Sequence, residues 1–185
     1  MPEQPLDPSQ VDNDFPSEGR LAAVDFGSVR IGVAICDPDR ILSSPLTVIP
    51  ADEWELNPEA FRQLAEDESI KAWIVGLPIH LDGGESDSSQ EARRFAGWLS
   101  VATDLPVRLF DERFTTVEAG AKFLGTGMTS KKRKKRIDAV AALVLLESFL
   151  EAWRFGAEIP GQAAIVDRSS FEISSANRSS ASRRR

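Results

Sequence analysis

Three acidic sites stand where a folding chain would otherwise place carbon. Asp25 closes the apolar run Leu21-Ala22-Ala23-Val24, and Asp111-Glu112 directly follows the strand-like run Val107–Phe110. Asp138 lies inside Ile137–Leu146, which is otherwise wholly apolar. An unpaired carboxylate near a core costs several kcal/mol unless a cation or hydrogen bonds compensate it. Each acid also has a plainer role open to it. Asp25 can accept backbone amides in the turn at Gly27, and Asp111 or Glu112 can pair with Arg113 in a surface turn. Asp138 can sit in a first helical turn, where the dipole favours an acid by about 0.3–1 kcal/mol. At 3.6 residues per turn, however, Asp138 shares a stripe with Ala142, Leu145 and Phe149, so it faces what the helix packs against. Adjacent strand residues point to opposite faces, so only one of Asp111 and Glu112 can join a shared site.

Inward acids from two strands and a helix are the donor set of a hard divalent cation such as Mg²⁺, which takes carboxylate and phosphate oxygens. Two such ions about 3.5–4 Å apart activate a water and stabilise the leaving oxygen in phosphodiester cleavage. Acids alone would repel a polyanion. The six consecutive bases Lys131–Arg136, just before Asp138, reverse that potential and point to phosphate contact rather than a merely solvated loop.

The elements that must carry these groups follow from periodicity and turn signals. Arg20–Phe26 and Val29–Cys36 read as a hairpin about Gly27-Ser28, and Leu46–Ile49 as a third short strand. Asn57–Asp67 reads as a helix, with Phe61, Leu64 and Ala65 at helical spacing. Lys71–Gly76 reads as a buried strand, and a polar loop, Ile79–Asp87, follows it. Ser88-Ser89-Gln90-Glu91 has capping-box spacing before a helix with Phe95, Ala96 and Leu99. Leu105–Phe110 is the next strand. Thr115 or Thr116 caps a helix through Leu124. After Gly125–Gly127 the basic block leads into a helix from Ile137 to about Trp153. A three-strand meander followed by β/α crossovers predicts a single α/β domain with a mixed five-stranded sheet flanked by helices.

Composition narrows the classes further. The 185 residues carry a net charge of −7, one cysteine and one histidine. Cys36 alone forms no intrachain disulfide and His80 alone no multi-histidine metal site, which fits a reducing cytoplasm. No apolar run approaches the ~20 residues of a membrane span, and no secretory signal is visible. Residues 1–18, with five acids and no base, read as a disordered acidic tail. Residues 157–185, rich in serine and arginine, read as a disordered basic tail, leaving 19–156 as the folded domain. The tryptophans read as core or rim, and Cys36 as a small buried apolar residue.

Four ordered motifs carry a resemblance. They are Asp25-Phe-Gly27-Ser28-Val-Arg30-Ile-Gly32-Val-Ala34, Val75-Gly76-Leu77-Pro78-Ile-His80-Leu-Asp82-Gly83, Asp111-Glu112-Arg113-Phe114-Thr115-Thr116-Val117-Glu118-Ala119, and Ile137-Asp138-Ala139-Val140-Ala141-Ala142. Together, over about Arg20 to Trp153, they closely resemble the YqgF (RuvX) family, described as pre-16S ribosomal RNA nucleases and as Holliday-junction-resolvase-like proteins. The resemblance implies a ribonuclease H-like fold and a Mg²⁺- or Mn²⁺-dependent endonuclease. It implies Asp25, Glu112 and Asp138 as the catalytic and metal-binding set, with Asp111 as the alternate acid. Arg30, Arg113, Lys134 and Arg136 are the implied phosphate contacts. The 76–84 loop, which carries His80, borders the implied substrate groove; His80 itself reads first as a hydrogen-bonding loop residue. The implied substrate is structured RNA, in maturation of the 16S ribosomal RNA 5′ end, acted on by a cytoplasmic monomer or weak homodimer. The competing readings are a resolvase of four-way DNA and a non-catalytic, transcription-regulating protein that binds nucleic acid. Asp25-x-Gly27 also looks like the first phosphate motif of the actin and sugar-kinase fold, but the second glycine-rich hairpin is absent.

Overall fold

A computed structural model of the chain describes residues 15–52, 54–78, 86–111, 130–156 and 158–165; side chains within 130–138 are outside that description. Six strands form one mixed sheet: β1 (Arg20–Phe26), β2 (Arg30–Cys36), β3 (Ser43–Pro50), β4 (Ile70–Leu77), β5 (Val107–Asp111) and β6 (Gln162–Ala163). Their order across the sheet is β3-β2-β1-β4-β5-β6. β1, β2 and β3 pair antiparallel as the expected meander, whereas β4 lies parallel to β1 and β5 parallel to β4. Those two parallel steps follow helices α1 (Pro58–Asp67) and α2 (Asp87–Thr103), and α3 (Ser130–Phe155) follows β5. No helix among the described residues is long and apolar enough to cross a membrane.

Strand alternation splits the core into two layers. Ala22, Val24, Ile31, Val33, Trp73, Val75, Val107 and Leu109 face α1 and α2. There Phe61, Phe95 and Trp98 form an edge-to-face aromatic cluster, with Phe26 stacked on Phe95. Leu21, Ala23, Ala34, Cys36, Ala72, Ile74 and Phe110 point the other way, against Ala142, Leu145, Leu146 and Phe149 of α3. Trp73 and Trp98 are buried, while Trp54 and Trp153 are rim residues packed against the two layers.

Four boundaries differ from those read in the sequence. Among the described residues the sheet has six strands rather than five, because Gln162–Ala163 pairs antiparallel with β5. The buried guanidinium of Arg108 holds that edge, donating to the carbonyls of Pro160 (2.8 Å), Ile159 (3.1 Å) and Gly161 (2.7 Å). At the other end Phe15, inside the expected acidic tail, packs against Phe149 and Trp153, so the packed unit reaches beyond 19–156 in both directions. The third strand starts at Ser43 and includes Pro45, which is tolerated on an edge strand where the register shifts. Finally, α3 begins at Ser130 rather than Ile137, so the basic block forms its first two turns. Lysine and arginine are good helix formers, and their charge had suggested a loop.

Candidate functional site

Asp25 is half-buried at the C-terminal end of β1, on the face that Leu21 and Ala23 present to α3. Its antiparallel partner in β2 is Gly32. On the other side β1 and β4 are in register through Val24 and Val75, so Gly76 is the next residue of β4, and Gly76 pairs in turn with Phe110. Asp25 is therefore flanked on both neighbouring strands by positions without side chains.

The same alternation separates the two acids that end β5. Phe110 belongs to the α3 layer and Leu109 to the opposite layer, which puts Asp111 on the face away from Asp25. Glu112 and Arg113 lie outside the described residues, as does His80.

Helix α3 brings the third acid. Arg40, in the β2–β3 turn, donates to the carbonyls of Gly19 (2.8 Å) and Pro16 (2.8 Å), and its guanidinium lies 4.7 Å from the centre of the Trp153 ring. Arg154 donates to the carbonyl of Arg40. The C-terminal end of α3 is thereby fixed beside the N-terminal end of β1. From Trp153 back to Asp138 the helix rises about 22 Å. From Gly19 forward to Asp25 the strand advances about 20 Å. α3 packs across the face that carries Asp25, and these two lengths match closely enough for backbone position 138 to reach the height of Asp25. That position falls on the helical stripe of Ala142, Leu145 and Phe149, all buried against the sheet. Lys134 occupies the same stripe one turn earlier, while Arg136 is two residues from Asp138 and so nearly on the opposite side of the axis.

The β1–β2 turn carries Arg30 at the same end of the sheet. Gly27 donates its amide to the Arg30 carbonyl (3.1 Å), and a Cβ at Gly27 would meet that oxygen at 2.8 Å. Glycine is required there because the chain approaches itself too closely for any side chain. The Val29 carbonyl accepts from Ala51 (3.0 Å), which ties the turn to the chain leaving β3.

Ser89 anchors the segment after β4. The sequence suggests a cap at Ser88; instead Ser86 caps α2, its hydroxyl accepting from the Ser89 amide (3.2 Å) while Ser89 Oγ accepts from the Ser86 amide (3.1 Å). Ser89 is fully buried and also donates to the Pro78 carbonyl, so the two ends of the 79–85 segment are held together at its base. No single residue type signals this; a serine repeated at three-residue spacing is the only trace in the sequence.

Among the described residues no three His, Cys, Asp or Glu side chains gather closely enough to hold a metal ion. Of the expected acids, Asp25 and Asp111 are described fully, Asp138 by its backbone, and Glu112 not at all. The chemistry that the described part supports is that of an open, carboxylate-bearing sheet end, overhung by the N-terminal turns of a basic helix.

Known proteins share this sequence and fold. Residues 19–152 match the family model RuvX, described as Holliday junction resolvase. A protein of Rhodopirellula baltica named "Putative pre-16S rRNA nuclease" is 59% identical over 157 residues, covering 85% of this chain and 91% of that one. One of the same name from Streptomyces avermitilis is 40% identical over 149 residues, covering 80% and 96%. Among solved structures, Thermus thermophilus RuvC in complex with a Holliday junction substrate superposes with a TM-score of 0.50 at 13% identity, covering 77% of this chain and 99% of that one. At that identity the likeness establishes the fold, which is ribonuclease H-like. By the match over its folded core and by these relatives, the chain belongs to the RuvX (YqgF) family.

Proposed function

We propose that the chain is a divalent-metal-dependent endonuclease that hydrolyses phosphodiester bonds in structured RNA, with the 5′ region of precursor 16S ribosomal RNA as its substrate. The observation that supports this reading is the packing of α3 on the sheet face that carries Asp25, with its C-terminal end anchored at Trp153 by Arg40. Asp25, Glu112 and Asp138 form the catalytic set in this reading. Glu112 is preferred over Asp111 because Asp111 alternates onto the α1/α2 face, away from Asp25.

A carboxylate set beside Gly32 and Gly76 fits a hard cation, Mg²⁺ or Mn²⁺: the donors are oxygens, and the flanking positions leave room. When bound, that cation lowers the pKa of a water and stabilises charge on the phosphate. The chain's own part is to hold the carboxylates in place and to bind the polyanion. Six bases in the first turns of α3 sit at the positive end of the helix dipole, where cations are disfavoured. A bound phosphate offsets that cost. Lys134 shares the Asp138 stripe and is the phosphate contact nearest the acids, with Arg30 at the sheet end, and Arg113 and Arg136 as further phosphate contacts. His80, on the adjoining segment, contacts substrate. The reaction belongs in the cytoplasm.

The test is cleavage of precursor 16S RNA with Mg²⁺, with Mn²⁺ and with EDTA, by the wild-type chain and by Asp25→Asn and Asp138→Asn. Cleavage that needs metal and is lost in both folded variants is expected; equal cleavage by either variant overturns the reading. A second substrate, four-way DNA, is favoured by the family description and by the fold shared with RuvC. Symmetric cutting of a junction requires two active sites, so cleavage of junctions but not RNA by a dimer would select it.

A further inference from the structure

Between the C-terminal half of α3 and the β5–β6 edge lies an open groove of about 510 Å³. Its walls are Ser148, Ala152 and Phe155 of α3 facing Phe110, Pro160 and Gly161. Positions 148, 152 and 155 are one stripe of the helix, turned away from the stripe that packs on the sheet. The lining is mostly carbon, and a large apolar side chain stands open at it: Phe155 is 86% exposed. An exposed phenylalanine on an apolar groove marks a surface that binds something. The charge at its rim excludes a polyanion, because Glu151 lines the groove and Glu147 lies one turn before it on α3.

We infer that the occupant is this chain's own segment Phe171-Glu172-Ile173. Three observations on the molecule select it. The chain leaves β6 on the groove's side of the sheet: Ala163 pairs with Arg108, so Ile165, two residues on, continues the face that carries Phe110. The six residues from Ile165 to Phe171 span up to about 20 Å. The return to Gly161, four residues back along the edge, is about 13 Å. Phe171 and Ile173 are also the large apolar residues of a stretch, 167–185, otherwise made of small, polar and charged side chains. Finally, residues 166–185 hold five arginines against two acids, opposite in sign to the glutamates at the rim, and Arg168 and Arg178 flank the apolar pair. The docked segment covers the apolar stripe of α3 and ties the basic tail to the end of the helix remote from Asp138.

Amide hydrogen exchange tests this on the full chain, on a chain ending at Ile165, and on the full-length Phe171→Ser/Ile173→Ser variant. Residues 148–156 exchange at least five-fold faster in both altered chains, and β1–β4 exchange unchanged. Unchanged exchange of 148–156 in both overturns the inference. Protection in all three chains, together with a dimeric mass by light scattering, overturns it in favour of a second copy on the same surface. Should truncation destabilise the fold, oxidation of full-length Ala152→Cys/Phe171→Cys is the independent readout: a disulfide forms at least ten-fold faster than in Ala152→Cys/Ser182→Cys. Equal rates overturn the docking. Cys36 is 1% exposed and does not compete.

Discussion

Replacing Arg40 isolates the contact that fixes the height of α3 against β1. The residue is held in the left-handed region (φ 58°), with Ile41 and Leu42 donating their amides to Asp37 Oδ1 at 2.7 and 3.0 Å in the same turn. In Arg40→Ala the carbonyls of Gly19 and Pro16 lose a charged donor, and Trp153 loses the cation over its ring. Hydrogen bonds to a charged group contribute about 1.5–3 kcal/mol, and two sharing one half-buried guanidinium fall short of twice that. The cation–π contact adds about 0.5–1 kcal/mol. A loss of about 2–4 kcal/mol follows, or a fall in Tm of roughly 5–12 °C for a domain of this size. Arg40→Gly separates the contact from the backbone. It loses the same donors but relieves a left-handed strain of about 1–2 kcal/mol, so it should be about 1 kcal/mol more stable than Arg40→Ala. Urea unfolding of the three chains measures both differences. If Arg40→Ala lies within 0.5 kcal/mol of wild type, water satisfies those carbonyls equally well and the anchor argument fails.

Three further outcomes follow from the same structure. Arg108→Met leaves three carbonyls of residues 159–161 without their donor, and should cost about 3–5 kcal/mol and raise amide exchange in 158–165; exchange unchanged there would show that β6 holds without it. Burial raises the Cys36 thiol above its ordinary pKa, so the unfolded chain ionises first. Stability is then full below about pH 8.5 and declines as pH rises beyond it, and Cys36→Ala should lose that alkaline slope in urea titrations. The amide of Leu42, and then that of Ile41, lowers the pKa of Asp37. Its contribution is present above the ordinary aspartate range and lost as pH falls through the folded value, below about pH 4, so Asp37→Ala should flatten the acid limb of the stability curve.

Much of this molecule can be read from local pattern. The hairpin about Gly27, the helix capped by Asn57 and the buried strand around Trp73 all follow period and turn chemistry. What escapes is set by tertiary contacts. β6 is two residues long with no pattern of its own, and exists because Arg108 holds the carbonyls before it. The start of α3 was hidden because a run of six like charges resembles a solvated loop. Ser86 and Ser89 cap α2 reciprocally, and sequence spacing alone could not choose that pair over Ser88 and Glu91. The site divides the same way. Asp25 and Asp138 were visible as acids in apolar company, which local sequence registers directly. That Asp111 turns away from the face of Asp25, and that Gly32 and Gly76 flank Asp25, depends on strand register, which only the paired sheet supplies.

The central claim is that Asp25, Glu112 and Asp138 converge on one divalent cation. Paramagnetic Mn²⁺ titration of the wild-type chain and of Asp25→Asn, Glu112→Gln, Asp138→Asn and Asp111→Asn tests it without depending on any substrate. Each of the first three variants should weaken Mn²⁺ binding at least ten-fold while the urea midpoint holds, and Asp111→Asn should bind as wild type does. Wild-type affinity in Asp25→Asn or Asp138→Asn, or its loss in folded Asp111→Asn alone, would contradict the account.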